Sequence, residues 1–402
     1  MPMVLEGITV IELATGQQGP VAGALLADMG ADVIKIEDKD LGDPGRSVRT
    51  ETPGREPFPL SYFFENNNRN KRGVALDYGT EAGREVVRNL VSRADIFLSN
   101  FSIPALADMG LDYPRLSAAN GKLVYAVATG MGATGPDRDK PLNDITAQFL
   151  GGIQSHGNRD GPIPFWGGMA NQEDAILLAF GIVNALIARE RYGVGQEVYS
   201  ALLGSQINWA ALNVQSNIFN KKEPWGMKKE APLSPFWNYY QAKDGRWLCL
   251  GFLQENRDWH TLCQVLERED LEFDPRFDTN PKRTKINNQE LIPIMREAFA
   301  QKTLDEWVEI LGRHDLGWSK LNDYEMLPDD PQVVANEYVV DFEHPKVGPV
   351  QMIGIPVRLK GTPGSLRTPA PELGEHTEEV LNAIGGYDSE GMQKLRGQGV
   401  IR

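Results

Sequence analysis

The stretch from Ala175 to Ala188 is almost entirely apolar, and it constrains the fold more than any other part of the chain. Its apolar side chains lie all round a helical wheel, which is typical of a helix in the interior of a large domain. The run is too short, and too closely flanked by charge, to span a membrane. Gly193 and Gly195 end the helix, and residues 196–203 resemble a strand. The pattern therefore predicts a buried helix at the centre of a large domain.

Asn171 is expected just before this helix, after a turn at Gly167 and Gly168. The start of a helix favours negative charge, because its first backbone N–H groups are unpaired and the helix dipole is positive there. A carboxylate or an anionic ligand would suit this place. The residue present is a neutral amide, and the functional interpretation of the chain depends on it.

The N-terminal half predicts an α/β fold. Two short β-branched runs, at residues 8–13 and 31–36, are separated by the turn TGQQGP and a helix over 21–29. This order is a βαβ unit, which should be parallel and right-handed. The same pattern predicts further strands and a further helix, namely strands at 73–77, 94–99 and 123–128 and a helix at 81–93.

Three polar loops each follow a predicted strand: TGQQGP (15–20), SNF (99–101) and TGMGATGP (129–136). Ligands of open α/β sheets bind beyond the carboxyl ends of the strands, so we expect these loops to line one crevice. None of them matches a dinucleotide or P-loop fingerprint. A glycine after a strand commonly serves only the turn, so a purely structural role for these glycines stays open.

The middle of the chain differs in character from the first half. A hairpin is predicted around residues 243–245, followed by helices over 256–267, 289–298 and 304–311, with Trp259 and Trp307 facing inward. We therefore divide the chain into four parts: a large domain at 1–207, a linker at 208–231, a small α+β domain at 232–321, and a linker and C-terminal part at 322–402 that returns to the large domain.

Composition excludes several classes of function. The formal net charge of −14 argues against nucleic-acid binding, since phosphate backbones are bound by basic surfaces. Two cysteines, Cys249 and Cys263, and five scattered histidines provide neither a disulfide framework nor a metal motif. The chain opens directly into a strand without an export signal, so we expect a cytoplasmic location and no membrane partner.

Several stretches, taken in order, resemble one family. They are LEGITVIEL, GPVAGALLADMGADVIKIE, NRNKRGVALD, RERYGVGQEV, DGRWLCLGFLQENRDW and TPAPELGEHTEEVLN. Together they are similar to the family III CoA-transferases, the formyl-CoA, carnitine and benzylsuccinate CoA-transferase group, from Leu5 to about Ile384. The LQENRDW segment is most similar to the branch that acts on succinyl-type and aryl-substituted acids.

The resemblance implies a Rossmann-like large domain built from both termini, an inserted small domain, and two chains interlocked as a dimer. It also implies covalent catalysis by an aspartate carboxylate. The carboxylate attacks an acyl-CoA and gives a mixed anhydride, the released CoA thiolate forms an aspartyl-CoA thioester, and an acceptor acid then takes the CoA. Coenzyme A is thus a substrate, and no permanently bound cofactor is expected.

The position that matches the nucleophilic aspartate is Asn171, within Ala170-Asn171-Gln172. A neutral amide is a very poor nucleophile, so this route is closed to the chain as it stands. Asp174 lies too far along the helix to be a ready substitute, and its alternative role is to complement the helix dipole. The resemblance implies CoA contacts at these residues: Gln17, Gln18, Lys39, Lys71, Arg72, Asn100, Phe101 and Lys140.

Other positions also depart from the family pattern. Asp38 follows the VIKIE strand where many relatives have an arginine, and Asp108 replaces a second expected arginine. Ser102-Ile103-Pro104 stands in place of Arg-Pro-Gly. Replacing a cation by an anion near a polyphosphate turns attraction into repulsion. A racemase of the same family would need a histidine where this chain has Asn143, as well as the missing aspartate.

Three interpretations follow. The chain is a natural non-catalytic subunit, paired with a homologous subunit that keeps the aspartate, as in the benzylsuccinate CoA-transferases of anaerobic toluene breakdown. Alternatively, it is an active enzyme whose aspartate was changed to asparagine, working as an interlocked homodimer. Thirdly, it is a binding or scaffold protein that holds a CoA ester or an acid without turnover. The loss of basic positions as well as the aspartate favours the first.

Aromatic residues flank the central stretch and could line a site for an aromatic acid: Phe165, Trp166, Phe236, Trp237, Tyr239 and Tyr240. Packing in a core or an interface would explain them equally well.

Overall fold

A computed structural model describes residues 1–49, 56–156, 167–221 and 234–402. These residues form two compact units. The first comprises the described parts of Met1–Ser155, Pro164–Lys222 and Pro331–Arg402, and the second those of His156–Ile163 and Glu223–Asp330. Both chain termini therefore belong to the first unit. The boundaries expected from the sequence, with a small domain at 232–321, stay a prediction.

The first unit is organised around a parallel sheet of six strands. They are β1 (Thr9–Leu13), β2 (Asp32–Asp38), β3 (Lys71–Leu76), β4 (Ile96–Ser99), β5 (Val124–Thr129) and β6 (Gln196–Ala201). The strand order is β3-β2-β1-β4-β5-β6, and every neighbouring pair is parallel. This is the order of a doubly wound sheet, in which the topology reverses between β1 and β4.

Helices connect and follow these strands: α1 (Gln18–Asp28), α2 (Tyr62–Asn68), α3 (Glu81–Val91), α4 (Ile103–Asp108), α5 (Tyr113–Ala119), α6 (Asp144–Leu150), α7 (Met169–Tyr192), α8 (Leu202–Trp209) and α9 (Ala211–Asn220). They bury both faces of the sheet. Val10 of β1 lies in the core formed with α1 and α7, whereas Ile11 and Leu13 lie in the core formed with α3. Burial on both faces explains why the inner strands β4 and β5 are buried along nearly their whole length, whereas the edge strand β6 alternates between partly buried and exposed residues.

Helix α7 differs in two ways from its prediction. It begins at Met169, so that Asn171 lies inside its first turn rather than before it. It is also not buried all round within this chain: Ile176, Phe180 and Ile187 are 57%, 67% and 46% exposed. The expectation of a fully enclosed helix is therefore wrong for the single chain. The apolar wheel supplies one face to the core and leaves a second apolar face on the surface.

The second unit has its own core. It contains β7 (Trp237–Gln241), β8 (Trp247–Gly251), α10 (Glu255–Val265), α11 (Asn288–Phe299), α12 (Leu304–Leu311) and β9 (Trp318–Lys320). The three strands form an antiparallel sheet in the order β7-β8-β9. Trp259 and Trp307 are 4% and 0% exposed in its core, which confirms that both tryptophans face inward.

The C-terminal segment adds the last elements to the first unit: α13 (Pro331–Ala335), β10 (Val339–His344), β11 (Gly348–Ile353), α14 (Thr377–Ala383) and α15 (Ser389–Gly397). Strands β10 and β11 form an antiparallel pair. Val380 of α14 and Leu395 of α15 are buried in the same core as α3. The α/β class and the return of the tail to the large unit are thereby confirmed. Within the described ranges, no helix is both long enough and apolar enough to cross a membrane.

Candidate active site

The loop after β1 is held in place by side chains from two other parts of the chain. The amide of Asn100, at the end of β4, accepts a hydrogen bond from the Thr15 N–H at 3.0 Å and donates one to the Thr15 carbonyl at 2.8 Å. Asp43 accepts a bond from the Gly16 N–H at 3.1 Å. Gly16 has φ +73°, a conformation that glycine adopts without strain. These hydrogen bonds hold the backbone of the loop in one conformation.

Asp43 connects this loop to a buried group of charges. Its carboxylate lies 2.8 Å from Lys35 Nζ, and Lys35 in turn lies 3.4 Å from Glu12. Glu12 also pairs with Lys71 at 2.8 Å, and the side chains of Glu12, Lys35 and Lys71 are all fully buried. Burial opposes ionisation of Asp43, but Lys35 and the backbone N–H groups of Gly45 and Gly16 together outweigh it and hold the pKa of this carboxyl below its usual value. Two cations and two carboxylates thus balance one another beneath the loop.

A cavity of about 430 Å³ opens at the carboxyl ends of β1, β4 and β5. It is lined by Thr15, Gln17, Gln18, Asn100, Phe101, Ser102, Ile103, Ala128, Thr129, Gly130, Arg138, Asp139, Lys140, Pro141, Leu142, Asn143, Asp144, Asn171 and Leu202. The three loops expected to share a crevice all contribute to this wall. The cavity lies where the sheet topology reverses, which is where open α/β sheets bind ligands.

Asn171 reaches this cavity because of the turn that precedes α7. Gly168 caps the helix with φ +94°, a left-handed conformation that disfavours other residues. A Cβ atom at Gly168 would lie 2.7 Å from Gln17 Nε2, so the amide of Gln17 packs directly on this glycine. The first loop and the start of α7 therefore meet at the wall of the cavity.

Asp144 occupies the position at the start of α7 that suits an anion. Its Oδ2 accepts hydrogen bonds from the Gly168 N–H and from Gln148 Nε2, both at 2.9 Å. Its Oδ1 accepts bonds from the Asn171 N–H at 2.9 Å and from Asn171 Nδ2 at 3.3 Å. The positive end of the helix is therefore neutralised by a residue of the chain itself. Sequence reasoning missed this role, because nothing in the local pattern joins residue 144 to residue 171.

Asp174 lies one turn further along α7 and is completely buried. Its Oδ2 accepts hydrogen bonds from Gln18 Nε2 and, at 2.8 Å, from the hydroxyl of Ser200. Burial raises the pKa of this carboxyl group to about 6, against the opposing effect of the bonds from Gln18 and Ser200. Asp174 is not among the described residues that line the cavity. Its position does not favour attack on a thioester in the cavity.

The neighbouring Glu173 is partly exposed and accepts a hydrogen bond from Gln206 Nε2 at 2.7 Å. Burial, with a smaller contribution from the charge of Asp174, raises the pKa of Glu173 to about 7. Two carboxyl groups with raised pKa values therefore follow Asn171 along the helix. Groups with such shifts are concentrated at functional sites.

The structure brings together six of the nine residues that the resemblance identified: Gln17, Gln18, Asn100, Phe101, Lys140 and Asn171 line one cavity. Both polar groups of the Asn100 amide are used by Thr15, which makes this residue a support of the wall. Lys140 pairs with Asp137 at 2.7 Å, and Arg138 pairs with Asp139 at 3.2 Å. The cations at the cavity are thus largely compensated by adjacent carboxylates.

The other three predicted CoA contacts, Lys39, Lys71 and Arg72, are not among the described residues that line the cavity. Lys71 donates hydrogen bonds to the Pro20 carbonyl and to Glu12, and burial lowers its pKa to about 8. Arg72 pairs with Asp32 and with Glu379. Lys39 pairs with the adjacent Asp40. In this structure these cations serve ion pairs within the chain, and their contact with CoA stays a prediction.

The aromatic candidates differ in position. Phe236 and Tyr240 are buried in the core of the second unit, and Trp237 and Tyr239 lie on the outer face of its sheet. Phe165 and Trp166 lie outside the described residues. Among the described residues, Phe101 is the aromatic residue that lines the cavity. Within the described parts of the chain, no three His, Cys, Asp or Glu side chains are grouped to hold a metal ion.

Comparisons with known proteins agree with this architecture. A family model described as CoA-transferase family III matches residues 5–377. The chain is 32% identical to the (R)-2-hydroxy-4-methylpentanoate CoA-transferase of Clostridioides difficile, over 100% of both chains. It is 30% identical to the cinnamoyl-CoA:phenyllactate CoA-transferase of Clostridium sporogenes, over 96% of this chain and 95% of that protein. The crystal structure of a CAIB/BAIF family protein from Brucella suis matches with a TM-score of 0.84 at 29% identity, covering 96% of this chain and 100% of that one.

Proposed function

Because the chain belongs to CoA-transferase family III, we propose that it is the asparagine-bearing subunit of a heteromeric enzyme that moves CoA from an acyl-CoA to an aryl-substituted organic acid. CoA thioesters are substrates of this family rather than permanently bound cofactors. The observation that carries the proposal is that the amide of Asn171, the residue that the resemblance matches to the nucleophilic aspartate, donates a hydrogen bond to Asp144. A neutral side chain that donates in this way has no free electron pair suited to attack a thioester.

Three carboxylates near Asn171 are candidates to replace the missing nucleophile. Glu173 accepts a hydrogen bond from Gln206 at 2.7 Å and is not among the described residues that line the cavity. Asp144 lines the cavity, but each of its oxygens already accepts two hydrogen bonds. Bonds of this kind stabilise the ionised carboxylate and lower its reactivity. Asp174 is enclosed and held by Gln18 and Ser200. None of the three offers a free oxygen at the cavity wall, which supports a chain that does not itself form the covalent intermediate.

The paired cations at the cavity, and two aspartates outside its lining, support the same proposal. Arg138 and Lys140 are paired with neighbouring aspartates, and Asp38 and Asp108 stand where the family pattern has arginines. A polyphosphate would gain little net attraction from such compensated cations. We therefore expect this chain alone to bind CoA more weakly than a family member that keeps the basic residues.

The assembly we propose pairs this chain with an aspartate-bearing homologue as an interlocked dimer or a pair of such dimers. The apolar face of α7 at Ile176, Phe180 and Ile187 supports it, together with Leu212 and Phe219, which are 87% and 76% exposed. Large apolar side chains grouped on a surface are typical of protein–protein contacts. A homodimer of this chain would cover the same face.

The acceptor acid we propose carries an aryl group, as benzylsuccinate does, and the acyl donor is of the succinyl-CoA type. Phe101 at the cavity wall supports an aromatic ligand, since aromatic side chains pack favourably against rings. The relative from Clostridium sporogenes bears a name with two aryl substrates, cinnamoyl-CoA and phenyllactate. Benzylsuccinate is therefore the first acid to test and phenyllactate the second.

The test compares the chain alone with the chain co-expressed beside an aspartate-bearing homologue, using succinyl-CoA and benzylsuccinate. We expect no turnover from the wild-type chain or from Asn171→Asp alone, and no aspartyl-CoA adduct by intact-mass spectrometry. The co-expressed complex should transfer CoA, and Asn171→Ala in this chain should leave its rate within about twofold. Robust turnover by the Asn171→Asp chain alone would contradict the proposal and would indicate an active enzyme whose aspartate had been replaced.

A further inference from the structure

Gln18 is the first residue of α1, and it lines the cavity while being only 7% exposed. Its Nε2 donates hydrogen bonds to the Thr129 carbonyl at 3.0 Å and to Oδ2 of Asp174. The two protons of the amide nitrogen are therefore both used. The sequence does not predict either contact, because the three residues lie on separate elements.

These contacts fix which end of the amide faces the cavity. Both partners of Nε2 are hydrogen-bond acceptors, so the reversed amide would set Oε1 against two acceptor oxygens and would leave the buried Asp174 with one donor fewer. Ser200 supports this arrangement, because its hydroxyl donates to the same Asp174 oxygen at 2.8 Å. Among the described residues, nothing donates a hydrogen bond to Gln18 Oε1, and this oxygen is not one of the enclosed unpaired atoms.

We propose that Gln18 presents Oε1 as a fixed hydrogen-bond acceptor to an N–H or O–H group of the acyl-CoA bound in the cavity, with Asp174 as its positioning residue. This inference rests on the proposed function, because it assumes that the cavity takes an acyl-CoA. An acceptor held in advance binds a matching donor without the cost of ordering a free side chain. A ligand that fills the cavity but lacks the donor would displace water from Oε1 and leave this acceptor unpaired, so the effect would appear as selectivity between ligands.

Two groups of an acyl-CoA could supply the donor: a hydroxyl on carbon 2 of the acyl chain, or an amide N–H of the pantetheine arm. We take the first as the main expectation, because Gln18 and Asn171 line the same cavity and the hydroxyl is only two bonds from the thioester carbon. The CoA ester of a 2-hydroxy acid such as phenyllactate would supply both groups. Succinyl-CoA and benzylsuccinyl-CoA would supply only the pantetheine N–H.

The experiment measures the dissociation constants of CoA, propanoyl-CoA and lactoyl-CoA by ligand-observed NMR at millimolar concentrations. Propanoyl-CoA and lactoyl-CoA differ only in the hydroxyl on carbon 2. We expect the wild-type chain to prefer lactoyl-CoA by about tenfold, and Gln18→Met to abolish this preference without weakening propanoyl-CoA. A loss of similar size for all three ligands would identify the pantetheine N–H as the donor. Unchanged constants in Gln18→Met for all three ligands would overturn the inference.

Asp174 is tested by the ratio of the two acyl-CoA constants, which a merely structural role would not change. Asp174→Asn keeps an acceptor oxygen for Gln18 and should retain the preference, whereas Asp174→Leu frees the amide and should lose it. Gln18→Met removes a hydrogen-bond donor from the buried carboxylate of Asp174 and could prevent folding for that reason. In that case the double variant Gln18→Met with Asp174→Asn, which removes the buried charge, is used for the same measurement.

Gln393→Met, on the exposed face of α15, is the matched control for the substitution itself. Failure of every ligand to bind the wild-type chain would contradict this inference, while the subunit role would still be decided by the co-expression test. Equal binding of lactoyl-CoA and propanoyl-CoA, with no change in Gln18→Met, would also contradict the inference and would leave the proposed function untouched.

Discussion

Asn171 donates two hydrogen bonds to a single oxygen of Asp144, one from its backbone N–H at 2.9 Å and one from its side-chain Nδ2 at 3.3 Å. The amide at this position is therefore part of a complementary pair. A carboxylate at residue 171 would place two negative charges in contact. This pair decides what a restored nucleophile would do to the protein as well as to its chemistry.

We expect Asn171→Asp to destabilise the chain in a pH-dependent manner. The Asp144 carboxylate should raise the pKa of the introduced carboxyl group, so the penalty is absent at low pH and grows as the pH rises through the raised value. Contact between two partly buried like charges should cost about 1–3 kcal/mol at pH 8. Urea unfolding at pH 4 and pH 8 measures the difference.

Asn171→Ala is the control for this substitution, because it removes one hydrogen bond and adds no charge. It should cost about 1 kcal/mol at both pH values. If Asn171→Asp differed from wild type by the same amount at pH 4 and pH 8, the two carboxylates would not interact, and repulsion from Asp144 would then not account for an asparagine at this position.

Asp174 should make the chain less stable as the pH rises. Its folded-state pKa of about 6 is above the ordinary value of 3.8, so the native state binds the proton more tightly than the unfolded state. The stability it contributes is complete below about pH 4 and is lost as the pH rises through 6. The difference of about two pKa units corresponds to at most ~3 kcal/mol. Asp174→Asn should gain stability relative to wild type between pH 4 and pH 7; a difference that stays constant over this range would contradict the prediction.

Gly181 lies inside α7, and a Cβ atom there would come within 2.8 Å of the Val198 side chain. From the sequence alone, a glycine inside an apolar helix predicts close packing by another backbone. In the structure, the close contact is instead with the side chain of Val198 in β6. Gly181→Leu should cost roughly 1–3 kcal/mol or more through overpacking and should impair folding. Gly204→Ala in α8 is the matched control, because its nearest neighbour is at 3.9 Å, and it should stabilise the helix by about 1 kcal/mol. A wild-type thermal midpoint for Gly181→Leu would show that the close contact is absent.

Phe180→Glu should prevent the assembly proposed for this chain. The side chain is 67% exposed on the apolar face of α7, so the substitution costs the monomer little but would bury a charge in an interface. Sedimentation velocity at micromolar concentration should give a dimer for wild type and a monomer for the variant. Phe273→Glu, at a phenylalanine that is 80% exposed in the second unit, is the control. A compact wild-type monomer would exclude the interlocked dimer under these conditions.

Much of the fold could be predicted because its signals are local. The strand and turn pattern identified β1, β2 and the hairpin of β7 and β8, and the inward direction of Trp307 followed from helical spacing. The limits of α7 could not be predicted as well, because the capping glycine at residue 168 works through its left-handed conformation. The exposed face of α7 was also missed, since an apolar wheel does not distinguish a core from an interface.

The site was predictable only where a family pattern or a strand end marked it. Gln17, Phe101 and Asn171 follow such marks and line the cavity. The hydrogen-bond partners that determine the chemistry of the site carry no such mark. Asp144, the partner of Asn171, is 27 residues away along the chain, and Asp174, the partner of Gln18, is 156 residues away. Contacts between residues so distant along the chain depend on the tertiary fold, and no periodicity in one sequence reports them.

The buried charges beneath the first loop have a consequence for how a ligand is received. Asp43 joins the loop at Gly16 to Lys35 of β2, and Lys35 joins it to Glu12 of β1. A Cβ atom at Gly23 would lie 1.9 Å from Glu12 Oε2, so the backbone of α1 packs directly against the Glu12 carboxylate. The loop can shift only by breaking its hydrogen bonds to Asp43 and Asn100, and the ion pairs hold Asp43 in place. This wall of the cavity is consequently ordered before any ligand arrives, and binding there loses little conformational entropy.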